Sequence, residues 1–270
     1  MLYERDYRVL TTNEKSVWEK VEIEYKKAQN GSRLPNKEAL IKYYKELPNA
    51  VRYHKQLFPN NYLIISELFA KERLNNIHKK ILETLDNKSC SERGILNFIK
   101  EHKAYQLIAS IFDGFRFGHH CAFLFREFEL PPNYVADFLL VGAGSGGYEF
   151  IFVEFENPYG QIVSREGEFG SIIRKGLKQV RDWDDWIEKN YHLLRLVFEK
   201  HIGPNKQLPK EFLELEKSRI HYVVVAGRRS DFRDKTYRLR RKLLKDEDIL
   251  LLHYDNLLKI ELFMHEEILK

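Results

Sequence analysis

Three carboxylates in two neighbouring segments are the residues of this 270-residue chain best suited to chemistry. Asp137 interrupts the apolar run 136–141, while Glu154 and Glu156 accompany the apolar segment 149–155. Side chains alternate along a strand, so Glu154 and Glu156 share one face, and we expect the three acids to converge at one sheet end. A divalent cation or a neighbouring Arg or Lys would compensate their charge. The spacing leaves both arrangements open, and it also allows Glu156 to lie exposed.

A glycine-rich connection, residues 142–147, joins the two acidic segments and formally satisfies the pattern G-x-G-x-x-G. A dinucleotide site needs a helix after the glycines, because the pyrophosphate binds at the helix N-terminus. Here a second strand-like segment follows, and no Gly-Lys-Ser/Thr sequence is present to form a P-loop. The glycines therefore indicate a hairpin turn.

A long helix predicted at about 168–190 adds polar residues near its apolar stripe. At about 3.6 residues per turn, Lys175, Gln179 and Trp186 lie together along one flank of the stripe that contains Trp183. The alternative is that the tryptophans are ordinary packing residues and Gln179 lies on a solvated flank.

The pattern of apolar and polar residues along the chain changes near residue 88, and we place a domain boundary there, at the polar stretch 86–91. The apolar spacing in residues 1–88 predicts a helical region, and that in residues 89–270 predicts alternating helices and strands. We therefore expect an α/β fold with a mixed β-sheet flanked by helices. The helices are predicted at 13–30, 37–46, 62–86, 91–111, 168–190 and 234–245, and the strands at 121–130, 134–141, 149–155, 221–226 and 249–254.

The composition, 43% hydrophobic and 31% charged, is that of a folded globular protein. No apolar run approaches the roughly 20 residues of a membrane span, and the first residues lack the apolar core of a secretory signal. Two cysteines, Cys90 and Cys121, cannot build a disulfide framework. We expect a cytoplasmic protein with no membrane partner.

The formal net charge is +5, but the segment 226–245 holds nine basic side chains and only two acidic ones. Such a cluster suits a polyanion such as nucleic acid, so we expect phosphate contacts here. The alternative is an amphipathic helix with a solvated basic face. The expected contact residues are Arg228, Arg229, Arg238, Arg240 and Arg241.

Several motifs together resemble one protein family. They are Ala136-Asp-Phe-Leu-Leu, Val153-Glu-Phe-Glu-Asn-Pro, Gln179-Val-Arg-Asp-Trp-Asp-Asp-Trp, and the segments 221–228 and 252–258. They resemble the C-terminal nuclease domain of the Shedu anti-phage defence proteins, which belong to the PD-(D/E)xK nuclease superfamily. The likeness covers about residues 91–265. It implies a restriction-endonuclease-like fold and a Mg²⁺- or Mn²⁺-dependent DNA endonuclease that acts on DNA in bacterial defence. We also expect a homo-oligomer. Residues 1–88 lie outside the likeness and are assigned to regulation or assembly.

The resemblance also implies roles for single residues. Asp137 and Glu154 match the metal-binding acids, while Gln179 and Trp183 fill the helix motif Q-x-x-x-[YW]. Glu92 resembles an acid on the first core helix and is a third candidate metal ligand. Its alternative is structural, because Ser89-Cys-Ser-Glu92 also reads as a helix capping box.

The chain departs from the superfamily pattern at Glu156, where a lysine is expected two residues after the second acid. That ammonium orients the attacking water and stabilises charge on the phosphate, which a carboxylate cannot do. Lys175 is the first candidate to replace it, ahead of Lys178 and Arg181. If nothing replaces it, the domain is a catalytically inactive DNA-binding or oligomerisation module. Another nuclease of the superfamily, for restriction or repair, is the third possibility.

Overall fold

The computed structural model describes residues 2–29, 46–64, 68, 70–118 and 120–258. The chain divides into two compact units, one formed by Met1–Tyr62 with Arg195–Pro209 and the other by Leu63–Leu194 with Lys210–Lys270. The boundary expected near residue 88 lies inside the second unit, and the independence of residues 1–88 stays a prediction.

The first unit contains helices α1 (Thr12–Gln29) and α2 (Pro48–Lys55). Leu10, Trp18, Ala50 and Val51 form its apolar cluster. The predicted helix at 13–30 is confirmed for its described residues, whereas the helix predicted at 37–46 falls almost wholly outside them.

The described helices before the sheet of the second unit include α3 (Lys71–Asp86), α4 (Glu92–Glu101) and α5 (Tyr105–Ala109). The helix predicted at 62–86 is confirmed over α3, and residues 65–67 and 69 lie outside the described part of the chain. Its predicted start is wrong at Leu63, which is not helical and whose backbone N–H donates to the carbonyl of Ala122. The helix predicted at 91–111 is broken between α4 and α5. Lys103 adopts a left-handed φ of 49°, a conformation that ends helices.

A five-stranded mixed sheet forms the centre of the second unit. It runs in the order β1 (Cys121–Leu130), β2 (Tyr134–Gly144), β3 (Gly147–Phe155), β4 (Ile220–Val225) and β5 (Ile249–Leu252). β1, β2 and β3 pair antiparallel, while β3–β4 and β4–β5 are parallel. The predicted mixed sheet is confirmed. The glycine-rich segment is the predicted hairpin turn, and Gly147 has a φ of 106°, which glycine adopts without strain.

Two helices connect the parallel strands, as such crossovers require. α6 (Ser171–Glu199) lies between β3 and β4 in the chain, and α7 (Asp234–Glu247) lies between β4 and β5. α6 continues beyond the predicted end through a kink at Asn190. It buries Ile173, Val180, Trp183 and Ile187, and also Trp186, which the sequence placed on the flank. Among the described residues, no helix combines the length and apolar character that a bilayer crossing needs.

Candidate active site

Asp137 and Glu154 meet at the end of the β2–β3 ladder. Phe138 pairs with Val153, so the next positions along the two strands are Asp137 and Glu154, on the same face of the sheet. The Asp137 carboxylate accepts a hydrogen bond of 2.8 Å from the backbone N–H of Phe155. Glu156 follows β3 directly, and its backbone N–H donates to Val225. The sheet thus brings the three predicted acids to one end.

Two of these acids are almost completely removed from solvent. The exposed fraction is 3% for Glu154 and 1% for Glu156, while Asp137 is half-buried. Oε2 of Glu154 and Oε1 of Glu156 are buried with no hydrogen-bond donor in the part of the chain that the structure describes. A buried carboxylate oxygen without a donor is costly unless a proton or a cation accompanies it. Both residues therefore need such compensation.

The pKa values follow from this burial. Burial raises the pKa of Glu154 to about 10, and the neighbouring charges of Asp137 and Glu156 act in the same direction. Burial also raises the pKa of Asp137 to about 7, although the hydrogen bond from Phe155 opposes the shift. In the absence of a cation, Glu154 is thus protonated at neutral pH.

Without divalent cations, stability should fall as the pH rises. Above the ordinary carboxyl pKa of about 4, the folded state binds more protons than the unfolded chain, because Asp137 and Glu154 keep theirs. The contribution of these protons to stability is complete below that pH. It is lost as the pH rises through the folded pKa values of about 7 for Asp137 and about 10 for Glu154. The slope is at most about 1.4 kcal/mol per pH unit for each proton. Urea unfolding in EDTA between pH 5 and pH 9 measures it. Asp137→Asn with Glu154→Gln should flatten the curve; an equally steep curve in that variant would contradict this assignment.

Lys175 brings an ammonium group to the acids from α6. Its Nζ lies 2.8 Å from Oε2 of Glu156 and 3.5 Å from Oε2 of Glu92. Burial alone lowers the pKa of Lys175, but the hydrogen bond and charge of Glu156 outweigh it and the net shift is upward. The next residue, Gly176, permits this approach, because a Cβ there would lie 2.7 Å from a Val224 methyl and 3.0 Å from Cγ of Glu156.

Lys178 and Arg181, the two weaker candidates to replace the expected lysine, form ion pairs elsewhere. The ammonium of Lys178 lies 3.8 Å from Asp182 on its own helix. The guanidinium of Arg181 donates to Glu247 of α7 at 2.7 Å. Of the three basic residues considered from the sequence, Lys175 is the one beside the acids.

Glu92 is the first residue of α4, and its surroundings correct the capping-box interpretation. Ser91, not Ser89, is the cap, since its Oγ accepts from the backbone N–H of Gly94. The Glu92 carboxylate is free of a capping role and lies beside Lys175. Its backbone N–H donates to Oδ1 of Asn157 at 3.0 Å. Sequence reasoning missed Asn157, whose only signal was its position directly after Glu156.

The two residues of the Q-x-x-x-[YW] motif have different environments. Trp183 is fully buried in the core, and its indole N–H has no acceptor among the described residues. Gln179 is half-buried one turn after Lys175 and lines an open cleft of about 360 Å³. Gln179 therefore lies one helical turn from Lys175, which contacts Glu156, while Trp183 belongs to the core.

The acids supply part of the oxygen ligands that a hard divalent ion needs. Among the described residues, no group of three or more His, Cys, Asp or Glu side chains is arranged to hold a metal. Asp137 and Glu154 nevertheless supply oxygen ligands, which Mg²⁺ prefers, and one buried oxygen of Glu154 lacks a donor. Mg²⁺ commonly uses one or two carboxylates and completes its shell with water and substrate oxygens. The pair therefore fits such an ion, with Glu92 further out beside Lys175.

Arg228 differs from the other predicted phosphate contacts. Its guanidinium donates to Asp255 at 3.1 Å and to the Leu85 carbonyl at 2.7 Å, with Asp86 at 3.3 Å. Only 13% of its side chain is exposed. Its observed role is to hold the end of α3 against the segment after β5, so a phosphate contact would require breaking these bonds.

The other predicted contacts are more accessible. Arg229 is exposed, and its backbone N–H donates to Asp255. Arg238 and Arg241 are exposed on α7. Arg240 is half-buried, and burial lowers its pKa. These three α7 side chains make no ion pair within the described residues, which leaves their charges available.

Comparison with protein families identifies a match to most of this chain. The family model described as Shedu protein SduA, C-terminal, matches residues 89–258. This range contains the whole sheet, the acids and Lys175, and it leaves the residues before 89 unmatched. No curated protein matches the chain.

Proposed function

This chain belongs to the Shedu family of anti-phage defence proteins, and on that premise we propose that residues 89–270 form a divalent-metal-dependent DNA endonuclease. The observation that carries the proposal is the meeting of two buried, incompletely bonded acids with an ammonium group at one end of the sheet. Buried carboxylates and a lysine in one cluster are costly as structure alone, but phosphoryl transfer needs both.

Each residue has a distinct role in this proposal. Asp137 and Glu154 hold Mg²⁺ or Mn²⁺, which when bound supplies an acidified water and neutralises phosphate charge. Lys175 stabilises the charge that develops on the phosphate as water oxygen bonds to phosphorus and one P–O ester bond breaks. Glu156 holds the Lys175 ammonium in place, and Gln179 offers its amide to the substrate.

Plasmid cleavage tests the proposal directly. We expect the full chain to nick supercoiled DNA in Mg²⁺ or Mn²⁺ and not in EDTA, and Asp137→Ala to remove this activity because one of two metal ligands is lost. Asp113→Ala is a matched control, since Asp113 is also half-buried but lies outside the cluster. Cleavage by Asp137→Ala at the parental rate, or cleavage in EDTA, would overturn the proposal.

One observation favours a second candidate, a catalytically inactive DNA-binding module. Glu156 occupies the usual lysine position and forms an ion pair with the replacement ammonium. This module would bind DNA but cut none in any divalent cation. The family match favours defence over the restriction or repair roles.

We expect α7 to bind the DNA backbone in either case. Changing Arg238, Arg240 and Arg241 to Glu should weaken binding to all sequences, and it should flatten the plot of log affinity against log salt by about one unit for each lost phosphate contact. Titration of labelled duplexes at several salt concentrations measures both effects. The control makes the same charge change at Lys79, Lys80 and Lys100, which are exposed on α3 and α4. An equal salt slope in the parent and the α7 variant would assign the cluster to another role.

The homo-oligomer, the cytoplasmic location and the regulatory or assembly role of residues 1–88 stay proposals. Mass photometry of the full chain tests the first, since a monomer at all concentrations would contradict it.

A further inference from the structure

The cleft beside the acids contains groups that the proposed hydrolysis does not use. It lies between the start of β2 and the exposed side of α6, and its volume of about 360 Å³ is within the range of small-molecule pockets. Lys175 belongs both to this cleft and to the acid cluster, so the two are continuous. Its lining residues are Asn133, Tyr134, Val135, Lys175, Lys178, Gln179 and Asp182.

Val135 lines the cleft and lies on the same strand as Asp137. It lies two residues before Asp137 on β2, so both side chains project from the same face, about 7 Å apart along the strand. Half of Val135 is exposed, so it offers an apolar surface in an otherwise largely polar cleft. A group in contact with Val135 would therefore be a short distance from a phosphate bound to the metal ion that Asp137 is proposed to hold.

The polar groups of the cleft are suited to recognising a neutral, planar ligand. The side-chain amides of Asn133 and Gln179 make no hydrogen bond with the described residues, and each offers both a donor and an acceptor. Lys178 is partly compensated by Asp182 at 3.8 Å. Amides read the edges of nucleobases, while apolar and aromatic side chains contact their faces.

We propose that this cleft is a base-binding subsite that takes one unstacked nucleobase of the DNA strand next to the scissile phosphate. The inference rests on the proposed endonuclease function and adds base selectivity to it. Asn133 and Gln179 contact the base edge, and Val135 and Tyr134 contact its face. Taking a base out of the stack costs a few kcal/mol, so unpaired or distorted DNA is the preferred substrate.

Sequencing of the cut ends tests the subsite in the active protein. We expect a base preference at one position adjoining the cut, reduced about five-fold or more in the double variant Asn133→Ala, Val135→Ala. Leu213→Ala is the control, because Leu213 is an exposed aliphatic residue outside the cleft. A preference unchanged in the double variant, or absent from the parent, would overturn the inference.

A binding measurement tests the subsite without cleavage. In EDTA, the parent should bind single-stranded oligothymidine at least about five-fold more tightly than an abasic oligomer of equal length and charge. The double variant should lose that difference, and thermal melting confirms that it is folded. Equal parental affinity for the two oligomers would overturn the inference. A base-dependent affinity in a protein that cuts no DNA would support the subsite and contradict the nuclease.

Discussion

Glu154→Gln should abolish Mg²⁺-dependent DNA cleavage, by about a thousandfold or more, without lowering the melting temperature at pH 7 in EDTA. The activity is lost because the amide cannot bind the ion as a carboxylate does. The fold is kept because burial raises the pKa of Glu154 to about 10, so this side chain is already neutral without a cation and the amide has the same shape. Plasmid cleavage and thermal unfolding, measured on the same preparation, separate the two effects.

Glu149→Gln is the matched control, because Glu149 lies on the same strand and pairs with His221 at 2.8 Å, away from the acids. This variant should keep its cleavage activity. Calorimetric titration adds an independent readout, since Mn²⁺ should bind to the parent and not to Glu154→Gln. A Glu154→Gln protein that cuts DNA at the parental rate would remove Glu154 from the reaction.

Lys175→Ala should lower the cleavage rate by about 10²- to 10³-fold while leaving Mn²⁺ binding in place. The variant keeps both metal-binding acids but loses the ammonium that lies 2.8 Å from Glu156. Single-turnover cleavage and Mn²⁺ titration measure the two properties. Lys178→Ala is the control on the same helix, since its ammonium faces Asp182. Equal rates in the two variants would show that Lys175 is not the replacement cation.

A charge exchange sharpens this test. Glu156→Lys combined with Lys175→Glu keeps the ion pair but moves the ammonium to the position two residues after Glu154. We expect the double variant to be more active than Lys175→Ala, because the ammonium again lies beside the acids. A double variant no more active than Lys175→Ala would mean that the location on α6 itself is needed.

The local part of this site was predictable from the sequence. Alternation along a strand and a glycine-rich turn were sufficient to place Asp137 opposite Glu154, because both depend on neighbouring residues alone. The helical repeat likewise placed Lys175 one turn before Gln179, on the border of the buried face.

The parts that depend on distant residues were not predictable. The sequence predicts Arg228 as a phosphate contact but gives no sign of its bonds to Leu85 and Asp255, which lie far from it in the chain. The helix predicted at 62–86 included Leu63 wrongly, because the backbone N–H of Leu63 bonds to Ala122, some sixty positions later in the chain. Patterns of charge and hydrophobicity carry no information about such partners.

The hydrogen bond from the backbone N–H of Glu92 to Asn157 joins the start of α4 to the segment after β3. It connects the first residue of α4 to the residue that follows Glu156, so the two segments that carry the carboxylates near Lys175 are bonded to each other. Losing the Asn157 side chain would therefore release the start of α4, and Glu92 with it, from the segment that follows Glu156.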